Sequence, residues 1–247
     1  MSFRLFGGKA DHAVQNIKTE RQHILGKKTP FSIVEELKTL RTNIQFSTTS
    51  EGCKIIGVTS SVAGEGKSIT ALNLAITFAE TQSRVLLIDC DLRKPKVSRL
   101  LKVKAVPGLS NVLVNMNSVQ EAIQTVQLET TSIDVLLSGD IPPNPSELLG
   151  SRKMKELIES LSNRYDYILV DTPPVGVVTD AVIVSSLFTG MIFVIRASRT
   201  QQDAVHSALS QLKFAGANVL GFVLNGVNAK GNRRYSSYRS YKEAAAR

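Results

Sequence analysis

An α/β fold, with a mostly parallel central sheet and helices on both faces, is what this sequence predicts, and three observations predict it. An apolar strand pattern at 54–60 runs into the Gly-rich loop Ser61-Val62-Ala63-Gly64-Glu65-Gly66-Lys67-Ser68, which opens a helical pattern at 67–81. Further apolar strand patterns at 84–90, 133–138, 167–171, 191–196 and 218–224 alternate with helical patterns at 108–124, 146–163, 178–187 and 201–215. That alternation implies right-handed crossovers between parallel strands. Third, Val85-Leu86-Leu87-Ile88 and Ile168-Leu169-Val170 are apolar at every position, as strands covered on both faces require.

Residues 1–30 sustain no periodicity and contain Gly7, Gly8, Gly26 and Pro30, which predicts an extended arm. Ser32 with Glu35 three residues later has the pattern of a capping box, and Ile33, Leu37, Leu40 and Ile44 follow at helical spacing. The expectation is an amphipathic helix over 32–47 whose polar face carries Glu35, Lys38 and Arg41, spaced to meet one another or a partner chain. The strand and helix patterns then continue to the last strand, so one domain over 31–227 is expected. From Asn228 aliphatic side chains give way to Lys, Arg, Ser and Tyr, and residues 228–247 are expected to form a flexible tail.

Composition narrows the function classes. The chain of 247 residues is 43% hydrophobic, enough for a sizeable core. No apolar run reaches the ~18 residues that would cross a bilayer, and no signal peptide opens the sequence, so a cytoplasmic protein is expected. Cys53 and Cys90 read as small core residues in a reducing compartment, and His12, His23 and His206 form no metal motif. A net charge of +9 points to an acidic partner. No motif for reading DNA accompanies that charge, and no nucleic acid is expected.

The loop at 61–68 carries the chemistry. A strand feeding a Gly-rich loop that opens a helix presents backbone N–H groups to phosphates; its lysine reaches the β/γ-phosphates and its hydroxyl holds Mg²⁺. In the pattern G-x-x-x-x-G-K-[ST] the first glycine is here Ser61. The nucleotide-binding candidates are Ala63, Gly64, Glu65, Gly66, Lys67, Ser68 and Ile69. Two apolar strands end in acids: 84–90 delivers Asp89 and then Asp91, and 167–171 delivers Asp171 followed by Thr172-Pro173-Pro174. Ligands of an open parallel sheet bind outside the carboxyl ends of its strands, so all three carboxylates can face the nucleotide. Phosphoryl transfer needs neutralised charge and an oriented nucleophile. Lys67, Asp171 and Mg²⁺ on Ser68 fit the first need. Asp89 fits the acceptor of the incoming hydroxyl's proton, and Asp91 a ligand of the metal or its waters. Asp180 has the place of a helix cap for 181–187 or, less simply, of a γ-phosphate neighbour.

These segments resemble a known family. Ala63–Ser68, the stretch Leu87-Ile88-Asp89-Cys90-Asp91-Leu92-Arg93-Lys94-Pro95, and Tyr165-Asp166-Tyr167-Ile168-Leu169-Val170-Asp171-Thr172-Pro173-Pro174 look like the Walker A, A′ and B motifs of the bacterial tyrosine kinases, deviant P-loop NTPases that accompany capsular and exopolysaccharide synthesis. The resemblance implies ATP and Mg²⁺ as cofactors and Asn225 near the base. It also implies that Glu35, Lys38 and Arg41 belong to an oligomerisation helix of pattern E-x-x-R-x-x-R, with lysine in place of the first arginine and with a ring of subunits as the outcome. It makes Tyr235, Tyr238 and Tyr241, three of the chain's five tyrosines, an autophosphorylation cluster used between neighbours, besides other protein tyrosine substrates. Similarity to the stand-alone form implies a separate membrane protein whose cytoplasmic tail activates the kinase and recruits it to the inner face of the membrane.

Two readings compete. A partitioning or division-site ATPase switch of the same loop class usually carries a second lysine five residues before Lys67, where this chain has Val62. A nucleotide-gated scaffold for polysaccharide assembly, with incidental phosphorylation, is the other.

Overall fold

A computed structural model describes residues 17, 19–49 and 51–227. Its centre is a seven-stranded sheet in the order β3-β4-β2-β5-β1-β6-β7, built from β1 (Lys54–Ser60), β2 (Val85–Asp89), β3 (Ile123–Gln127), β4 (Ser132–Leu136), β5 (Tyr167–Asp171), β6 (Gly190–Arg196) and β7 (Val219–Asn225). Every pairing is parallel except that of β3 with β4. Strand alternation explains the uniformly apolar central strands. Val85, Leu87 and Leu169 enter the core on one face, and Leu86, Ile88, Ile168 and Val170 enter the core on the other.

After a helical stretch that includes residues 19–21, the α-helices are α1 (Phe31–Ser47), α2 (Lys67–Ala79), α3 (Val97–Leu101), α4 (Leu109–Leu113), α5 (Val119–Ala122), α6 (Pro145–Leu149), α7 (Arg152–Ser162), α8 (Asp180–Val184) and α9 (Gln202–Phe214). The helix that follows the phosphate loop, α2, is buried at every position but Ile69. The sheet covers one side of it. On the outside lie α1 and the segment before α1, residues 19–30, which was expected to be part of an extended arm. That segment is instead clasped to α2: the Asn73 side chain accepts from the Leu25 N–H at 2.8 Å and donates to the His23 carbonyl at 2.9 Å. Leu25 is buried in the same core as Ala71 and Leu74.

Several expected elements shift for local reasons. In α1 the N-cap position is Pro30, without a side-chain cap, so Ser32 lies inside the first turn and Glu35 pairs with Lys38 instead of closing a capping box. Val34, Leu37, Leu40 and Ile44 face inward, while Ile33 is exposed. The single helix expected over 108–124 breaks at Asn115, which takes a positive φ of 62°. Ser118 and Glu121 then form a genuine capping box for α5, and the chain turns into the edge strand β3. The helix expected over 146–163 is two, because Ser151 caps α7 by accepting from the Met154 N–H. The pattern at 178–187 shortens to α8 and a 3₁₀ turn at Ser185–Leu187.

Candidate active site

The phosphate loop sits at the carboxyl end of β1, where the strand order turns: β5 and β2 lie on one side and β6 and β7 on the other. Such a switch point leaves a crevice above the sheet. Gly64 and Gly66 hold φ values of +87° and +98°, which L side chains avoid. A Cβ on Gly66 would also come within 2.0 Å of Asn225 Nδ2. Ser61 takes no positive φ, so a serine replaces the first glycine of the motif without backbone strain. The start of α2, a 13-residue helix, supplies N–H groups with no intrahelical acceptor.

The acids arrive by register. Asp89 and Asp171 are paired residues at the adjacent ends of β2 and β5, which puts two buried carboxylates side by side. Asp89 is fixed by its own loop: it accepts from the Asp91 N–H at 3.1 Å and the Val97 N–H at 3.2 Å. Asp91 accepts from the Lys94 N–H at 3.0 Å. Lys67 Nζ reaches Asp91 Oδ2 at 2.9 Å and Asp171 Oδ1 at 3.3 Å, with Ser68 Oγ at 3.4 Å. The four residues assigned to charge neutralisation and metal binding therefore meet around one ammonium. Burial pulls the Lys67 ammonium down, but Asp171 and Asp91 outweigh it and hold it above its ordinary range. Burial, and next the Asp171 charge, push Asp89 up to about 8. Burial raises Asp171 as well, against the pull of Lys67.

The residues fit a nucleotide-bound Mg²⁺. Asp171 Oδ2 is buried and without a hydrogen-bond partner, and Ser68 Oγ lies beside the same ammonium. Among the described residues no three His, Cys, Asp or Glu side chains form a metal cage. A single hydroxyl and one or two carboxylates suit Mg²⁺, which keeps waters and takes its other ligands from phosphates.

The opposite side of the crevice holds Asn225, whose Nδ2 donates to the Glu65 carbonyl at 2.8 Å. Arg196 lies on this side too, packed against Gly226. Two arrangements here were missed by sequence reasoning. The Glu65 side chain is buried and is itself the loop's brace, accepting from Ser61 Oγ at 2.9 Å, the Val62 N–H at 2.8 Å, the Thr200 hydroxyl and, at 3.4 Å, the Arg196 N–H. Asp180 is not the cap of its helix: Thr179 is the N-cap of α8. The fully buried Asp180 carboxylate takes two bonds from Arg93, at 2.8 and 3.1 Å, and one from Ser146 at 2.6 Å. A glutamate between two glycines carries no spacing signal, and partners 87 residues apart carry none either.

On α1, Glu35 pairs with Lys38 at 2.9 Å, and Arg41 donates to the Thr77 carbonyl at 2.8 Å. Tyr235, Tyr238 and Tyr241 lie outside the described residues. Of the other tyrosines, Tyr165 is buried and bonds Asp134, and Tyr167 stacks on Phe78 with ring centroids 4.0 Å apart. Both are structural.

Comparisons with known proteins agree with this geometry. The family described as AAA domain matches residues 53–211. The tyrosine-protein kinase YwqD of Bacillus subtilis (strain 168) is 37% identical over 219 residues, covering 88% of this chain and 92% of its own. The kinase domain of Escherichia coli tyrosine kinase ETK superposes with a TM-score of 0.76 at 33% identity, over 81% of this chain and 77% of that one. The septum site-determining protein MinD of Pyrococcus horikoshii OT3, solved with Mg-ADP, follows at a TM-score of 0.60 and 27% identity, over 76% of each chain. With the Walker A loop, the paired Asp89 and Asp171 and the seven-stranded sheet all in place, the chain belongs to the bacterial tyrosine-protein kinases, a branch of the P-loop NTPases.

Proposed function

We propose that this kinase transfers the γ-phosphoryl group of ATP to tyrosine hydroxyls, first among them Tyr235, Tyr238 and Tyr241 of a neighbouring copy, and that it thereby regulates capsular or extracellular polysaccharide synthesis and export. The observation that carries this reading is the register of β2 with β5, which sets Asp89 beside Asp171 and within reach of Lys67. Lys67 turns from the carboxylates to the β/γ-phosphates, and Ser68, Asp91 and Asp171 hold Mg²⁺. Bound there, Mg²⁺ neutralises charge on the transferring group. Asp89 takes the phenolic proton as the tyrosine oxygen bonds to phosphorus and the bond to the ADP oxygen breaks. A tyrosine is a weak nucleophile while protonated, with a pKa of ~10. Burial raises the Asp89 carboxyl above the ordinary carboxylate range, which in its ionised form makes it a stronger proton acceptor than an exposed carboxylate.

Glu35, Lys38 and Arg41 are proposed to take part in a ring of subunits, in which one copy's tail reaches the next copy's site. No helix among the described residues is long and apolar enough to cross a membrane; recruitment to the inner membrane face by a separate activator is part of the proposal. The likeness to MinD favours a nucleotide switch as the second reading, and Val62 at the place of that class's second lysine counts against it. The test is incubation with Mg²⁺, ATP and the activator's cytoplasmic tail. Phosphotyrosine that Lys67→Met and Asp89→Asn abolish supports the kinase. ATP hydrolysis without phosphotyrosine supports the switch.

A further inference from the structure

The sheet order divides the crevice. The acids stand at the ends of β2 and β5, on one side of the phosphate loop, and the loops after β6 and β7 stand on the other. A nucleotide whose γ-phosphate faces Asp171 therefore lays its ribose and base toward Arg196–Thr200 and Asn225. Those two segments are joined to each other, the Ala197 N–H donating to the Asn225 carbonyl at 2.8 Å. They are joined to the phosphate loop mainly through one residue. Glu65 Oε2 faces the loop itself, taking Ser61 and Val62, while Oε1 faces across to the Thr200 hydroxyl and the Arg196 N–H. The Glu65 carbonyl receives Asn225. The turn it holds is tight: Ser198 takes a positive φ of 59°, and the Thr200 N–H closes on the Arg196 carbonyl at 3.1 Å.

We infer that the Glu65–Thr200 link is a positioning device: it holds the turn 196–200 against the phosphate loop before the nucleotide arrives, so that affinity for the base-bearing part of ATP, and not for its phosphates, depends on it. A buried carboxylate taking four bonds is rigid, and its two oxygens serve two different walls of the site. A loop pre-set in the bound geometry saves the ordering that binding would otherwise require. The inference rests on the proposed ATP site and adds to it a residue pair that does not touch the reacting atoms.

Thr200→Val separates the two walls: it removes the hydroxyl that reaches Glu65 Oε1, together with that hydroxyl's contacts to the Arg196 N–H and carbonyl inside the turn, and leaves Ser61 and Val62 in place on Oε2. Binding of ATP and of inorganic tripolyphosphate, each with Mg²⁺, is measured by calorimetry on the full chain. The expected result is a loss of about tenfold for ATP, the size of one hydrogen bond to a charged group, with tripolyphosphate changed by less than about twofold. Thr200→Ser, which keeps the hydroxyl, restores ATP affinity. KM for ATP rises while kcat at saturating ATP holds. Equal losses for ATP and tripolyphosphate, or no loss for either, overturn the inference. Wild-type protein that binds tripolyphosphate and ATP equally overturns it as well, and wild-type protein that binds neither overturns the ATP site itself.

Discussion

At the scale of single residues, the site is a charge problem solved by register. Three carboxylates meet one ammonium at the largely buried floor of the crevice, and the lysine neutralises two of them. Asp89 is the one left without a cation. Asp89→Asn is expected to cut phosphoryl transfer by about a hundredfold or more while leaving the KM for ATP nearly unchanged, read by initial rates. The same residue sets a pH dependence in protein free of nucleotide and Mg²⁺. Its folded value of about 8 lies above its ordinary 3.8, so between those values the native state holds a proton that the unfolded chain has released. Stability from this group is therefore full below about pH 4 and is lost as pH rises toward 8. Melting temperature should fall across that window, and Asp89→Asn should flatten the fall; a slope unchanged in the variant would contradict the assignment. The cysteines behave in the same direction. Burial, and next the Asp166 charge, raise the Cys53 thiol to about 11, and burial, then the Asp89 charge, raises Cys90 well above the ordinary thiol range. Neither should be alkylated by iodoacetamide in native protein at about pH 8, and both should react once the chain is unfolded.

At the scale of elements, what the sequence made legible was local. The strand–loop–helix at 54–79, the acids ending β2 and β5, and the strands apolar on both faces all follow from short-range pattern, and all appear. What it hid depends on partners distant in the chain or on competing short signals. Asn115 and the Ser118 box cut a helical pattern that hydrophobic spacing alone would continue. The docking of residues 19–30 depends on Asn73, about 50 residues away in the middle of α2, where asparagine is a poor helix former. Glu65 and Asp180 have roles visible only when β6 and the loop after β2 are in place. The Asn73 clasp gives an element-scale prediction. Asn73→Ala leaves the Leu25 N–H and His23 carbonyl unmatched at the surface of α2 and should cost about 2 kcal/mol, read as a melting temperature lowered by about 4–8 °C. Asn73→Asp keeps the acceptor for Leu25 and should cost less.

At the scale of the whole molecule, the fold places the phosphate loop and its carboxylates at the carboxyl ends of the central strands β1, β2 and β5, and the helix proposed to link copies packs on the outside of α2. The helix α1 packs its inner face on α2 through Ile44 and Leu37, while Phe31 and Phe46 at its two ends stay exposed. A ring built on that face would bring a neighbour's tail to the crevice, and Arg41, bonded to the Thr77 carbonyl, would tie the interface helix to the helix that begins at the phosphate loop. The most direct measurement mixes two variants that are each silent alone in the proposed reaction: Lys67→Met, with its tail intact, and the triple change of Tyr235, Tyr238 and Tyr241 to Phe, with its site intact. After incubation with Mg²⁺, ATP and the activator's cytoplasmic tail, mass spectrometry maps phosphotyrosine. The expected result is phosphate on Tyr235, Tyr238 and Tyr241 of the Lys67→Met chain, in the mixture and not in either variant alone. ATP consumed in the mixture with no phosphate on those tails would contradict it.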